Sequence, residues 1–393
     1  EESERAESSE ELFKGWSDPA YVLFLTGRQH GYVEPCGCTG LENQKGGLAR
    51  RDTLLQQLIA KDWKVVPVDV GNQVRRFGRQ PEIKFQLTVN SLQRMKYQAV
   101  GLGPDDLKLP AGELVALVAG DSEQTTPFVG ANVAVLDRSL LPEFQVIKVG
   151  DQKIGVTAVL ADAQQKLLTN GDLVLEPMLQ GLSRVWPKLA AAKCDFHVLL
   201  CYGSLEESRQ LAVKFPQFQV VVTAGGSGPP TFEPEVVKPA GNLLIQVGPK
   251  GMYAGVLGIF PGAEKSARYQ RISLSSRFQD SKEILAQFKS YQAELQRTGL
   301  TGLGLRPIAH PSNQKFTGSQ VCGECHTKAY EIWRKTPHAM ATDSLIEPPE
   351  RQDIARHFDP ECLECHVVGF NPWVASENSS DEKVKFLRGE NRP

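Results

Sequence analysis

Short apolar runs alternate with stretches of helical spacing across the first two thirds of the chain. Residues 21–26 are continuously apolar and run into Gly27, the mark of a buried strand. Residues 47–60 are amphipathic at a period near 3.6, and 64–69 form a second apolar run before Gly71. Further on, the pattern predicts helices over 82–96, 180–193 and 206–215. It predicts strands over 99–102, 128–132, 146–149, 154–160, 196–201, 220–223, 243–247 and 253–260. Strands spaced by helices argue for an α/β fold with a substantial sheet, and the later strands without helices between them suggest a mixed sheet or a two-sheet sandwich. Residues 281–297 read as a helix that Ser281 caps and Gly299 stops. Gly and Pro then break the chain repeatedly over 299–317, as in a linker. From Gly318 the apolar periodicity fades, while Cys, His and aromatic residues concentrate. The expected organisation is an acidic leader over 1–19, an α/β domain over 20–275, a helix and linker over 276–317, and a small, mostly helical domain over 318–393.

Composition adds little to this picture. The 393 residues are 41% hydrophobic and 23% charged, ordinary for a globular protein. Forty-four basic residues against 46 acidic ones leave a net charge of −2, without the basic excess of a nucleic-acid binder. No apolar run is long enough to span a membrane, so association with one would need an anchor outside this sequence.

The chemistry lies in the cysteines. Cys322-Gly-Glu-Cys325-His326 and Cys362-Leu-Glu-Cys365-His366 both match C-x-x-C-H, the attachment pattern for haem c. Two thiols bond the two vinyl groups of one porphyrin, and the adjoining His reaches the iron. Two covalently attached haems are expected, with His326 and His366 as proximal ligands. The competing reading is a zinc ribbon, which also uses paired C-x-x-C but does not require His after each pair. A second axial ligand is often another His, and His338, His357 and His310 are the candidates. Tyr330, Trp333, Phe358 and Phe370 are candidates to pack the porphyrin faces.

Residues 316–370 carry the phrases Phe316-Thr-Gly-Ser-Gln-Val-Cys-Gly-Glu-Cys-His-Thr-Lys-Ala-Tyr330, Thr336-Pro-His338-Ala and Asp359-Pro-Glu-Cys-Leu-Glu-Cys-His-Val-Val-Gly-Phe370. In these the tail resembles the multihaem cytochrome c family typified by a four-haem electron carrier of ammonia-oxidising bacteria. The resemblance implies an electron-transfer module with closely packed haems. Members of that family continue with further C-x-x-C-H motifs, whereas none follows His366 here, so the expectation is a two-haem version or a cut chain.

The first domain resembles the 5′-nucleotidase-like branch of the metallophosphoesterases, through its strand and loop positions and phrases such as Val129-Gly-Ala-Asn132-Val and Gln152-Lys-Ile154-Gly-Val-Thr-Ala. That family holds two metal ions on Asp, His and Asn at strand ends. Here its opening D-x-H-G reads Arg28-Gln29-His30-Gly31, and Asn72 follows Gly71 where the second Asp belongs. Its G-N-H-[DE] reads Gly103-Pro104-Asp105-Asp106, Tyr202-Gly203 replaces a later His, and Gly225-Gly226-Ser227-Gly228 replaces G-H-x-H. Only His30 survives, so a retained scaffold without two-metal hydrolysis is expected.

Cys36 and Cys38 lie in the loop after the first strand, and Cys201 ends a later one. Site residues gather at that edge of an open α/β sheet, so His30, Cys36, Cys38 and Cys201 form a speculative second metal or redox site. The alternative is a structural Cys pair shaping a Gly-rich loop. Since haem c is attached outside the cytoplasm, a periplasmic or cell-surface electron-transfer protein is the leading expectation. Its partners would be redox proteins, probable cytochromes among them, with the α/β domain used for docking or assembly. A haem or thiolate redox enzyme, a structural subunit of a larger cytochrome assembly and a residual phosphoesterase are the alternatives.

Overall fold

The computed structural model describes residues 11–36, 43–76, 78–119, 126–305, 318–348 and 354–367. The chain divides into two units, residues 1–77 with 81–287, and residues 78–80 with 288–393.

In the first unit the apolar runs become strands. They are β1 (Tyr21–Thr26), β2 (Pro35–Cys36), β3 (Lys45–Gly46), β4 (Val65–Asp69), β5 (Ala99–Val100), β6 (Val133–Val135), β7 (Gln145–Val149), β8 (Gln152–Leu160), β9 (Leu173–Leu175), β10 (Phe196–Tyr202), β11 (Val220–Thr223), β12 (Glu235–Val237), β13 (Asn242–Gln246), β14 (Tyr253–Ile259) and β15 (Ala267–Ser273). One sheet has the order β15-β14-β1-β4-β5 and the other β12-β13-β11-β10-β8-β7. Each is mixed: β1 runs parallel to β4 and antiparallel to β14, and β10 runs parallel to β8 and β11 while β7 and β12 pair antiparallel with β8 and β13.

Alternation of side chains along the strands decides which face each residue meets. Val198 and Leu200 of β10 join Leu23, Leu25, Val68 and Leu257 in a core shared by the two sheets. Leu199 and Cys201 point the other way, against Leu182 and Val185 of helix Met178–Ala191 and Leu211 and Ala212 of helix Leu205–Lys214. Each such aliphatic side chain contributes about 1.5–3 kcal/mol by leaving water. Helix Leu205–Lys214 opens with a capping box, in which Ser204 and Glu207 satisfy each other's backbone N–H groups. The result is a mixed-sheet α/β sandwich, as the hydrophobic pattern indicates.

Several elements differ from the pattern. Residues 128–132 do not form a strand; Phe128 makes a single bridge to Val100, and pairing begins at Val133. Backbone N–H groups of Gly130 and Ala131 are drawn to Pro142 and Ala158 instead of a ladder. β12 and β15 are edge strands rich in Glu, Arg and Gln, and edge positions tolerate polar residues that hide the apolar signal. Gly299 takes φ +65° and ψ 165°, outside helical values, so the helix that begins at Lys282 is interrupted there, as the sequence indicates, and a further short helical stretch runs on to Gly302. Ser281 donates its hydroxyl to Asp52 at 2.6 Å.

The second unit contains the end of that helix and the short helices Ser319–Cys325, Thr327–Trp333, Asp343–Ile346 and Pro360–His366. Among the described residues, no helix is long and apolar enough to cross a membrane.

Asn132 ties this fold together at one buried point. Its amide donates to the carbonyls of Leu160 (2.8 Å) and Glu176 (3.1 Å) and accepts from the Leu160 N–H (2.9 Å). Asn132→Ala takes its acceptor from the Leu160 N–H, while the Gln165 amide still reaches both carbonyls at 2.9 Å, and a loss of about 2 kcal/mol is expected. The urea midpoint checks it; an unchanged midpoint refutes it.

Candidate functional site

The two C-x-x-C-H segments each lie on a short helix. Cys322 and Cys325 are one turn apart on helix Ser319–Cys325, and both thiols are exposed. His326 ends that helix with φ −98° and ψ 50° and starts the next. Gly323 lies against the Tyr330 ring, where a Cβ would come within 2.7 Å. Tyr330 in turn packs on Trp333 with ring centroids 5.6 Å apart.

The second segment is more firmly held. Asp359 caps helix Pro360–His366 by accepting from the Glu361 N–H, and Pro360 occupies the first turn, where its missing N–H has no consequence. Cys362 is half-buried and Cys365 exposed. The His366 Nδ1 lies 2.6 Å from the Ala341 carbonyl oxygen. A carbonyl only accepts, so Nδ1 carries the proton and Nε2 keeps its lone pair for a metal. This donor set fits haem c: two thiols on each motif and an imidazole directly after them. Among the described residues, no group of three or more Cys, His, Asp or Glu side chains is gathered as a metal site.

His338 is exposed on a single 3₁₀ turn, Pro337–Met340. His357 stacks on Phe358 with ring centroids 3.7 Å apart, and its Nδ1 is buried without a hydrogen-bond partner. His310, Cys38 and Phe370 lie outside the described residues.

In the first unit, the loops at the C-terminal ends of β1, β4, β10 and β11 carry the positions compared with the phosphoesterase pattern. Asp69, fully buried at the end of β4, organises two of these loops. It accepts from the Thr26 hydroxyl (2.6 Å), the Gly71 N–H (2.8 Å) and the Gln73 amide (2.7 Å), and pairs with buried Arg51 at 3.4 Å. Arg51 also donates to Gln29. Arg28 and His30 both take φ +52°, and backbone bonds from Arg28, His30 and Gly31 to Gly71, Asn72 and Gln73 hold the loops side by side.

These residues do not fit a two-metal centre. The Arg28 guanidinium stands where a carboxylate is needed and donates to the Gly226 carbonyl at 3.0 Å. Asp106 accepts from four backbone N–H groups, those of Asn72, Gln73, Val74 and Gly103. Burial nonetheless pushes its pKa up to about 7 against the pull of those donors. Asp105 is engaged by the Asn72 amide (3.1 Å) and Lys108 (2.8 Å). Burial lowers the His30 pKa to about 4, with Arg28 adding to the effect.

Cys201 is not placed to join His30 as a ligand. Its position on β10 sends it into the apolar layer under the helices, and burial pushes its thiol up to about 12. Cys36 pairs with Lys45 in the β2–β3 hairpin. Asp359 and the Ala341 carbonyl escaped the sequence reading. The Asp-Pro step before Cys362 was the available signal for the first; nothing local marked the second.

A family model described as cytochrome c554 and c-prime matches residues 321–389. The fold of the first unit is similar to that of a 5′-nucleotidase precursor from Thermus thermophilus, with a TM-score of 0.59 at 19% identity over 74% of this chain and 60% of that one. It is also similar to a calcineurin-like phosphoesterase from Bacillus subtilis, with a TM-score of 0.55 at 15% identity over 70% of this chain and 97% of that one. The chain thus has a fold similar to those of 5′-nucleotidases and a C-terminal segment that matches the cytochrome c554 and c-prime model. Among curated sequences, an apyrase of Anopheles gambiae is 20% identical over 342 residues, which is 79% of this chain and 59% of that protein. An apyrase of Aedes aegypti is 20% identical over 250 residues, 56% of this chain and 44% of that protein. The chain thus spans about half the length of the curated relatives it matches. At these identities the phosphoesterase likeness establishes the fold alone.

The His30 environment in the phosphoesterase-type unit sets a pH dependence. An unfolded imidazole titrates near 6.5, whereas His30 titrates near 4. The unfolded chain therefore takes up a proton that the folded chain refuses, so stability present above pH 6.5 declines as pH falls toward 4. His30→Gln is expected to make that decline shallower. Urea midpoints measured from pH 7 to 4 check this, and parallel curves for variant and wild type refute it.

Proposed function

We propose that this protein is an extracytoplasmic c-type cytochrome that transfers electrons through two covalently attached haems, with its phosphoesterase-type unit serving for docking or assembly. The observation that carries the reading is the pair of C-x-x-C-H motifs on short helices, one of them with its imidazole already oriented through Nδ1. Cys322 and Cys325 would hold one haem and Cys362 and Cys365 the other, each thiol adding S–H across a vinyl double bond. His326 and His366 would be the proximal ligands. His338, His357 and His310 remain the proposed distal ligands, and the buried, unpartnered Nδ1 of His357 favours a role in which only its Nε2 is used. Bound there, haem iron supplies one-electron oxidation and reduction.

Redox partner proteins, other cytochromes among them, are the proposed partners. A periplasmic or cell-surface site follows from the route by which haem c is attached. Loss of two-metal hydrolysis is supported by the Arg28 guanidinium in the cleft and by the engagement of Asp105 and Asp106.

An intact mass is expected to exceed that of the polypeptide by two haems. Replacing Cys322 and Cys325 with Ser, or Cys362 and Cys365 with Ser, is expected to remove one haem each. Colourless protein, or pigment fully extracted by acidified solvent, refutes covalent attachment. Hydrolysis of a generic phosphodiester with added Mn²⁺ is expected to stay at background; turnover abolished by His30→Ala would restore the phosphoesterase reading.

A further inference from the structure

The two C-x-x-C-H segments share their chemistry but not their surroundings. None of the residues of helix Ser319–Cys325 is buried, and no side chain caps it. Helix Pro360–His366 instead begins on Asp359, whose side chain is only 5% exposed. One carboxylate oxygen accepts from Gln80 Nε2 (2.7 Å) and the Glu361 N–H (3.0 Å), and the other from Gln292 Nε2 (3.0 Å). The Asp359 carbonyl also accepts from the N–H groups of Cys362 and Leu363. This carboxylate is therefore fixed one helical turn before a haem-attachment cysteine.

We propose that Asp359 is a positioning residue whose fixed negative charge lowers the reduction potential of the haem held by Cys362, Cys365 and His366. The proposal rests on the haem reading above and goes beyond it by naming what tunes one of the two centres.

Three observations carry it. First, both oxygens receive N–H donors, which is the pattern an ionised carboxylate satisfies; a neutral acid would aim its own hydroxyl at a donor. Gln80 and Gln292 orient the group without adding charge. Second, among the described residues, Asp359 lies with Arg356 and Glu364 among the buried charged side chains of this unit. The Gln80 amide that holds Asp359 also donates to the neighbouring Tyr291 hydroxyl at 3.0 Å. The pKa of that hydroxyl is raised well above the ordinary value, by burial first and then by Asp359 and Glu361. Third, the His366 Nδ1–H bond to Ala341 makes the imidazole a stronger donor to iron. Ferric haem carries one more positive charge than ferrous, so a nearby anion and a stronger axial donor both favour the oxidised form. Withdrawal from water acts the other way, toward the ferrous form, and a charge-only substitution separates the two effects.

The test uses two single-haem proteins. One has Cys322 and Cys325 replaced by Ser and keeps only the second haem; the other has Cys362 and Cys365 replaced and keeps only the first. Asp359→Asn and Asp359→Ser are made in each, since Asn and Ser retain the helix cap while removing the charge. Spectroelectrochemical titration is expected to show the second haem's midpoint potential shifted upward in both variants, with its mass and visible spectrum unchanged, and the first haem's potential unmoved. An unmoved second potential overturns the proposal, as does an equal shift of both haems. Loss of the second haem from both neutral variants also overturns it, because Asp359 would then act only as a structural cap. If the unsubstituted protein carries no covalent haem, the functional reading fails instead, and the intact mass shows this before any titration.

Discussion

Asp69 is the constraint on which the first unit turns. A carboxylate with no access to water must find its partners inside the protein, and each partner it recruits is a piece of chain that would otherwise wander. Here those partners are the end of β1, the turn after β4 and, through Arg51, the loop carrying Gln29. The rim of the sheets is thus anchored from beneath by internal charge. That explains how the loops keep their places whichever side chains, here Arg28, Asn72 and Tyr202, stand on the rim. Asp106 repeats the device one loop further along, gathering four backbone donors around a single carboxylate.

The second unit is organised differently. Its helices are short, and few of their side chains are buried. Isolated helices of this length are marginal in water, so their order has to come from caps, local ring packing and contacts made by whatever they bind. The unequal anchoring of the two motif helices follows from that. One has a buried cap and a tethered imidazole; the other relies on Gly323, Tyr330 and Trp333. A cofactor that fills space between such helices supplies the apolar surface that the polypeptide itself lacks.

Much of this was legible in the sequence, for physical reasons that also explain the misses. Strands buried on both faces, such as β1 and β11, appear as nearly continuous apolar runs because neither face meets water. Edge strands β12 and β15 do meet water, and their polar residues conceal them. Residues 128–132 are apolar because they are buried, yet their backbone bonds go to Pro142 and Ala158; burial and strand pairing are separate properties. At the sites, C-x-x-C-H is legible because its spacing is covalent chemistry. The identities of the strand-end residues Arg28, Asn72 and Tyr202 were equally legible, position by position. Cys201 was misjudged because the loop end of a strand seems open, while side-chain parity decides which layer the thiol enters. Asp359 and the Ala341 carbonyl depend on distant residues, Gln80, Gln292 and His366, and no local pattern announces such meetings.

Gly323 has a consequence for the first motif that its place between two cysteines would not suggest. The x positions of C-x-x-C-H are chemically idle, since neither thioether nor imidazole involves them. In this chain one of them is the floor on which an aromatic ring rests. A methyl group there would lift Tyr330 away, and with it the angle between two helices joined only through His326. The direction of that imidazole therefore depends on an atom the protein omits.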